Sequence, residues 1–296
     1  MDKENEAKFD WGDRYTAQSP LPSAQFMASI EYTLLDAVLP HLLGVTMRIA
    51  ALSPSSPPRL LDLGSSYGLL AMTLNDNVSL PSLAAGLAAQ GLLPAASRAD
   101  AVAAYGRLAA SLRGEDKVAL PVLALDASQP ALDFALAARL VAAAVHADLE
   151  ANAIGDEDAQ LVAQCNVLVC TGAIGYVTEK TIGQIAPLLG NRGKETAAIV
   201  FSVLRMFPHK AVVAELERHG FAVRCLSHAI RQRSYESDEE KEGVVAMIRE
   251  REANGLVPPG VDDEDALYAT LFVAARGDAA SSVFGGPSLP FPGLCS

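Results

Sequence analysis

The sequence predicts an α/β protein with a mostly parallel seven-stranded sheet, helices on both faces of that sheet and an antiparallel last strand. Seven short apolar runs alternate with stretches of helical periodicity over most of the chain, which is the pattern of strands joined by crossover helices. The stretch between the last two runs allows the final strand to run antiparallel. Half of the 296 residues are apolar, enough for one large core.

The predicted strands lie at residues 59–63, 118–125, 141–145, 167–170, 197–204, 221–226 and 267–275. Helices are predicted between them, among others at residues 129–140 and 210–218. Residues 77–117 are rich in Ala and Leu at helical spacing and are expected to be a helical insertion after the first βα unit. We therefore expect an N-terminal helical cap at 1–58, the sheet domain at 59–277 and a flexible tail at 278–296.

Composition and charge indicate which classes of partner and which cellular compartment to expect. The formal net charge is −12 and no basic stripe with interleaved aromatic residues offsets it, which disfavours nucleic-acid partners. The four cysteines lack CxxC spacing, which argues against a metal site or a disulfide framework and favours reduced thiols. The charged N-terminus lacks the apolar segment of a signal peptide and no membrane span is expected. A cytoplasmic protein is predicted, and its long N-terminal helix would suit a homodimer.

The segment LLDLGSSYG, residues 60–68, combines a strand, an acid and a glycine loop that opens a helix. Open α/β folds use this arrangement to bring backbone close to a nucleotide-like ligand. The loop lacks the GxGxxG order of dinucleotide binders. A nicotinamide-dependent oxidoreductase is therefore disfavoured, although the sequence alone also permits a purely structural turn here.

The DxGxxxG pattern after an apolar strand resembles motif I of the class I, Rossmann-like methyltransferases that use S-adenosylmethionine (SAM). The resemblance covers roughly residues 59–275. It implies that Gly64, Ser65, Ser66 and Gly68 border the cofactor and that Asp62 faces its cationic end. Ser66 stands where this family often has a glycine.

An acid at the end of the second strand accepts both ribose hydroxyls in such folds. Asp126, followed by Ala127, ends the predicted strand in this way. It lies 64 residues after Asp62 (126 − 62), against about 20 in ordinary Rossmann units. The predicted insertion at 77–117 accounts for the difference if the strand order is kept.

Two further segments match the resemblance in the expected order. Asp148 and Leu149, after the third strand, resemble the segment that contacts adenine, with Glu150 as a second choice; Asp148 could equally be a helix N-cap. Thr171 and Gly172, at the end of the fourth strand, resemble motif IV. The implied product of the cofactor is S-adenosylhomocysteine (SAH).

Candidates for acceptor binding and catalysis lie beyond the ends of predicted strands. Tyr176 and Arg205 are candidate acceptor-binding residues, and Tyr15 in the N-terminal segment, with its neighbour Trp11, is a candidate lid; each also suits a packing role. His228 and Glu179 are candidate general bases for an acceptor that keeps its proton at neutral pH. The remaining histidines are scattered, so no metal site is predicted.

Two functions from different classes follow. The first is a methyltransferase that passes the methyl group of SAM to a small-molecule acceptor by in-line displacement. The alternative is a SAM-binding partner or regulatory protein without transferase activity. The sequence favours the first and leaves the second open.

Overall fold

The computed structural model describes residues 12–52, 57–112, 119–193 and 196–285. Its strands form one seven-stranded sheet in the order β3-β2-β1-β4-β5-β7-β6. Strand β7 is antiparallel to both of its neighbours, whereas the pairs β1–β2, β2–β3 and β4–β5 are parallel. The predicted fold class is confirmed, including the antiparallel last strand.

Every predicted strand is present, and its bounds shift by at most four residues except at the end of β6, which lies seven residues later than predicted. The seven strands are β1 (Leu60–Leu63), β2 (Val122–Asp126), β3 (Ala143–His146), β4 (Val167–Ile174), β5 (Ala197–Leu204), β6 (Ala222–Arg233) and β7 (Leu267–Arg276). All residues of β1 and β2 are buried, as expected for parallel strands covered on both faces.

Twelve α-helices are present in the described residues, after a 3-10 turn at Gly12–Arg14. They are α1 (Leu21–Ser29), α2 (Leu34–Leu52), α3 (Leu69–Asp76), α4 (Leu80–Ala89), α5 (Arg98–Leu112), α6 (Gln129–Ala137), α7 (Asp156–Val162), α8 (Glu179–Ile185), α9 (Leu189–Gly193), α10 (Lys210–Arg218), α11 (Asp238–Ala253) and α12 (Asp278–Gly285). Serine N-caps begin three of these helices at Ser79, Ser128 and Ser237. Each serine side chain accepts a backbone N–H three residues further on, a donor that otherwise has no partner in the helix.

The chain divides into two compact units. The first unit comprises residues 10–32 and 59–148, and the second comprises residues 33–58 and those from 149 onward. Strands β1 to β3 and helices α1 and α3 to α6 belong to the first unit. The remaining strands and helices belong to the second.

In the first unit, helix α6 packs on β2 and β3, and the helices of the insertion pack on one another. Helix α4 contacts α1 and α5, and α5 also contacts α3 and α6. Tyr105 of α5 is buried and its hydroxyl donates to Asp76 at 2.6 Å. The residues at 77–112 thus form two helices within the predicted insertion.

In the second unit, helix α2 packs on β4, β5 and β6. Its buried residues Leu34, Val38, Leu42, Val45 and Ile49 follow the helical period. By length and hydropathy alone it is the one helix of the described residues that could cross a membrane.

Three expectations change in detail. The segment predicted as one N-terminal cap divides between the units, because α1 packs with the first and α2 with the second. The predicted tail begins with helix α12, which packs on α2 and β7 through buried Ala279 and Val283; residues 286–296 lie outside the described residues. Strand β6 extends seven residues beyond its predicted end at 226, with register shifts that interrupt its pairing to β7.

Candidate cofactor-binding site

The glycine loop between β1 and α3 has a left-handed backbone at three positions. Gly64, Ser66 and Gly68 have φ angles of 76°, 51° and 81°. The loop is tied to the next strand because the N–H groups of Gly64 and Ser65 both donate to the carbonyl of Leu125, at 2.9 and 3.3 Å. A Cβ on Gly68 would lie 3.3 Å from side-chain carbons of Ala135 and Leu140. Glycine at 68 therefore meets a conformational and a packing requirement together.

Ser66 occupies a conformation that L-residues adopt rarely. Its backbone N–H donates to Oδ2 of Asp126 at 2.7 Å, which holds the loop in this conformation. Its neighbour Ser65 is buried, and the Ser65 hydroxyl has no hydrogen-bond partner among the described residues. The loop therefore carries one buried polar group that is free to meet a ligand.

Asp126, predicted to bind ribose, accepts hydrogen bonds from Tyr15, Ser66 and Ser128, and the backbone N–H of Ala127 also stabilises its charge. Ser66 N–H reaches Oδ2, while Ser128 N–H at 2.8 Å and the Tyr15 hydroxyl reach Oδ1. Burial raises the pKa of this carboxyl, and the hydrogen bonds from Tyr15, Ser66 and Ser128 oppose that rise. Tyr15, predicted as an acceptor-binding residue, thus lies on the predicted ribose acid.

Asp62, predicted to face the cationic end of the cofactor, is 4% exposed. Burial, and then the charge of Asp126, raise its pKa to about 8. Among the described residues no ion pair or hydrogen bond reaches the Asp62 carboxylate. The first unit therefore holds two neighbouring buried acids, and one of them, Asp62, has no hydrogen-bond donor in the part of the unit that the structure describes.

A short N-terminal segment lies against these acids. We call residues 12–18 the N-terminal strap. Ser128 Oγ donates to the carbonyl of Tyr15 at 2.5 Å, and the hydroxyl of Tyr67 donates to the carbonyls of Arg14 and Ala17 at 3.1 and 2.8 Å. Burial and the charge of Asp126 raise the pKa of Tyr15, so its hydroxyl stays protonated and donates.

The predicted adenine-contacting residues are distributed between the units. Asp148 is exposed at the end of the first unit. The backbone carbonyl of Ala127, next to Asp126, lies 3.0 Å from His146 Nε2. Leu149 is buried in the second unit. Glu150, the second choice, accepts from the backbone and hydroxyl of Thr178 and from the hydroxyl of Thr181, so it anchors the start of α8.

Thr171 and Gly172 lie within β4 in the second unit, since that strand continues to Ile174. Both are half-buried, and Gly172 N–H donates to Ser202 Oγ at 3.2 Å. The strand is irregular between Cys170 and Ile174. Tyr176, just beyond β4, is half-buried.

Arg205, a predicted acceptor-binding residue, is fully buried at the end of β5. Its Nε contacts both carboxylate oxygens of Asp263 at 3.0 Å, and its Nη2 donates to Glu252 at 2.8 Å and to the Pro258 carbonyl at 3.1 Å. These bonds hold the connection between α11 and β7 against β5. Nη1 is buried without a hydrogen-bond partner among the described residues.

The two predicted bases lie in different settings of the second unit. His228 on β6 is half-buried, with its ring nitrogens 3.5 and 3.6 Å from Cys225 Sγ. Burial and then the charge of Arg205 lower its pKa, so the imidazole is neutral at neutral pH. Glu179 is exposed in the first turn of α8. No group of three or more His, Cys, Asp or Glu among the described residues could hold a metal ion.

Sequence reasoning missed Ser128 and Tyr67 as parts of this site. Ser128 carried a usable signal, because a serine followed by Gln129-Pro130 is typical of a helix N-cap. That signal predicts the cap but not the bond to Tyr15. Tyr67 carried no signal beyond its place in the loop.

No family model and no curated protein matches the chain. Among solved structures it is similar to the magnesium protoporphyrin IX methyltransferase from Synechocystis with bound SAM, at 13% identity over 94% of this chain and 98% of that one, with a TM-score of 0.39. It is also similar to the plantazolicin methyltransferase BamL (9% identity, 93% and 96% covered, TM-score 0.43). A third is a TehB-like SAM-dependent methyltransferase from Corynebacterium glutamicum (14% identity, 79% and 88% covered, TM-score 0.37).

Proposed function

We propose that this protein is a SAM-dependent methyltransferase that acts on a small-molecule acceptor in the cytoplasm. The observation that carries the proposal is the pair of buried acids at the ends of β1 and β2. A buried carboxylate is costly unless a proton, a cation or hydrogen-bond donors compensate its charge. Among the described residues Asp126 has hydrogen-bond donors, whereas Asp62 has none.

The unpaired acid distinguishes between ligands that bind to glycine loops. Asp62 has a pKa of about 8 and keeps its proton at neutral pH without a ligand, and the pyrophosphate of a dinucleotide beside it would not favour ionisation. SAM brings an ammonium group and a sulfonium, and either cation would favour the ionised carboxylate. The two acids and the free hydroxyl of Ser65 therefore suit SAM better than a nicotinamide dinucleotide.

The residues of the loop fit the two polar ends of the methionine part. Asp62 would accept from the ammonium, and the buried Ser65 hydroxyl offers a donor and an acceptor to the same end. Ser66 and Gly68 shape the loop, and Asp126 would accept the ribose hydroxyls. The contact of Asp148 and Leu149 with adenine, and the likeness of Thr171 and Gly172 to the cofactor-binding motif IV, stay predictions from the sequence resemblance.

SAM supplies an electrophilic methyl group when bound, so the chain's residues chiefly have to align the acceptor and exclude water. We infer that His228 takes the acceptor's proton where one must leave, since a neutral imidazole has a lone pair to receive it. Glu179 stays a second candidate base, and Tyr176 and Arg205 stay candidate acceptor-binding residues. The charge of −12 disfavours nucleic-acid acceptors and supports a small molecule.

Titration calorimetry with SAH tests the cofactor assignment. We expect micromolar binding by the wild-type protein and at least tenfold weaker binding by Asp62→Asn and by Asp126→Ala. Asp100→Asn is the matched control, because Asp100 is an exposed acid of the same unit; its affinity should equal that of the wild type. Stabilisation by NAD and not by SAH in a thermal-shift assay would overturn the assignment.

Transfer itself needs a separate measurement. The protein is incubated with methyl-labelled SAM and fractionated pools of small metabolites, and SAH formation is followed. We expect label to pass to a compound of low molecular mass. Tight SAH binding without any turnover across such pools would favour the SAM-binding regulatory protein.

A further inference from the structure

We propose that the N-terminal strap is an intramolecular competitor for the ribose-binding acid: the Tyr15 hydroxyl occupies Asp126 and must leave before a nucleoside ligand binds. This inference rests on the proposed function, because it takes Asp126 as the acceptor of ribose hydroxyls. It adds a closed, binding-incompetent state of the first unit.

The acceptor positions of Asp126 carry the argument. A carboxylate offers about four lone-pair positions. Ser66 N–H contacts Oδ2, Ser128 N–H and Tyr15 O–H contact Oδ1, and the backbone N–H of Ala127 also stabilises the carboxylate. A ribose presents two neighbouring hydroxyls, and the carboxylate does not have two free positions for them while Tyr15 is bound. The backbone donors are built into the loop and the start of α6, so the Tyr15 hydroxyl is the donor that can leave.

The contacts of the N-terminal strap permit the Tyr15 hydroxyl to leave Asp126. Residues 12–16 are exposed or half-buried, and Ser128, Tyr67 and Ser23 hold the backbone carbonyls of the strap by hydrogen bonds. The Arg14 guanidinium also lies over the Phe26 ring at 4.3 Å, and Gln18 accepts from Arg98 at 2.8 Å. Water can replace polar bonds of this kind at little cost. Burial begins at Ser19 and Pro20, just before α1. The strap can therefore open at residue 19 while α1 stays packed, as expected of a segment with few apolar contacts.

An occupied acid lowers the apparent affinity for the ligand. Only molecules with an open strap bind, so the apparent dissociation constant is raised by the inverse of the open fraction. Removing the Tyr15 hydroxyl should shift the population toward the open state. The structure thus assigns Tyr15 to control of cofactor affinity.

The test compares SAH binding by the wild-type protein and Tyr15→Phe in titration calorimetry. We expect Tyr15→Phe to bind SAH about tenfold more tightly, the equivalent of one hydrogen bond to a charged group. Tyr105→Phe is the matched control, because it also removes a phenol–carboxylate bond, to Asp76, in the same unit. Its SAH affinity should be unchanged.

A second readout needs no variant. Trypsin cleavage after Arg14 in the strap should be slow in the ligand-free wild-type protein and faster when SAH is present. Equal or weaker SAH binding by folded Tyr15→Phe, or protection of Arg14 by SAH, overturns the competitor role and leaves the proposed function intact. Absence of SAH binding by the wild-type protein instead overturns the proposed function and this inference with it.

Discussion

The strand register determines how the two acids of the first unit meet. Asp62 pairs with Ala124 across β1 and β2, and Asp126 follows two residues later on the same face of β2. Both positions could be predicted, because an apolar strand ending in an acid is visible in the sequence. The bond from Tyr15 to Asp126 could not, since 111 residues separate them and no local pattern links a loop phenol to a distant carboxylate.

The raised pKa of Asp62 predicts how stability changes with pH in the ligand-free protein. Its folded-state pKa is about 8, against an ordinary 3.8. Between these values the unfolded chain has lost this proton and the folded chain keeps it, so this group makes the free energy of unfolding fall as pH rises. Below the lower value and above the higher one it adds no slope. Denaturant unfolding from pH 5 to 8 should therefore show a smaller decline in Asp62→Asn than in the wild type.

The same proton is expected to leave when a cationic ligand binds. An ionised Asp62 attracts an ammonium group, so SAH affinity should rise between pH 6 and pH 8 with release of a proton. Calorimetry in two buffers of different ionisation enthalpy measures how many protons are released when SAH binds. An SAH affinity of the wild type that does not change with pH would show that Asp62 does not interact with the ligand's ammonium group.

Ser66 allows a prediction about the backbone of the loop. Its φ of 51° costs an L-residue about 1 kcal/mol, which glycine avoids. Ser66→Gly should leave stability unchanged or raise the melting temperature by a few degrees, because the greater freedom of glycine in the unfolded chain offsets part of the gain. Ser66→Ala, which keeps the Cβ, should show no gain. A clear loss of stability in the glycine variant alone would show that the serine side chain stabilises the loop.

At the scale of elements, helical periodicity predicted the helices but not their partners. The segment 1–58 looked like a single cap, yet α1 packs on α4 while α2 packs on β4, β5 and β6. Amphipathic patterns show that a face is buried and do not show against what. The extension of β6 was missed for a related reason, because its bulges interrupt the alternation by which strands are recognised.

Loss of the Arg205 side chain, which holds the connection between α11 and β7, is expected to lower the free energy of unfolding strongly. Replacing it by Ala leaves the buried carboxylate of Asp263 without its partner, which should cost about 3–5 kcal/mol of unfolding free energy. Arg205→Lys should recover only part, because lysine cannot reproduce the planar contact with both oxygens. The matched control is Arg249→Ala, whose partner Glu264 lies on the surface and whose loss should change stability little. Chemical denaturation measures all three.

On the scale of the whole molecule, seven strands and their order of appearance were predictable because apolar runs and breakers recur at regular intervals. The division into two units was not. It depends on which helices pack together, and the chain leaves the first unit at residue 32 and returns to it at 59. The buried network of Arg205, Asp263 and Glu252 was equally hidden, because its members are distant in sequence.

Helix α2 has a consequence for synthesis of the protein. Its sheet partners β4, β5 and β6 begin only at Val167, and α12 begins at Asp278. In the growing chain this apolar helix of 19 residues therefore lacks the strands on which it packs until more than a hundred further residues have been synthesised. During that interval the helix cannot bury its apolar face against those strands, so translation of the later strands limits when the second unit can fold.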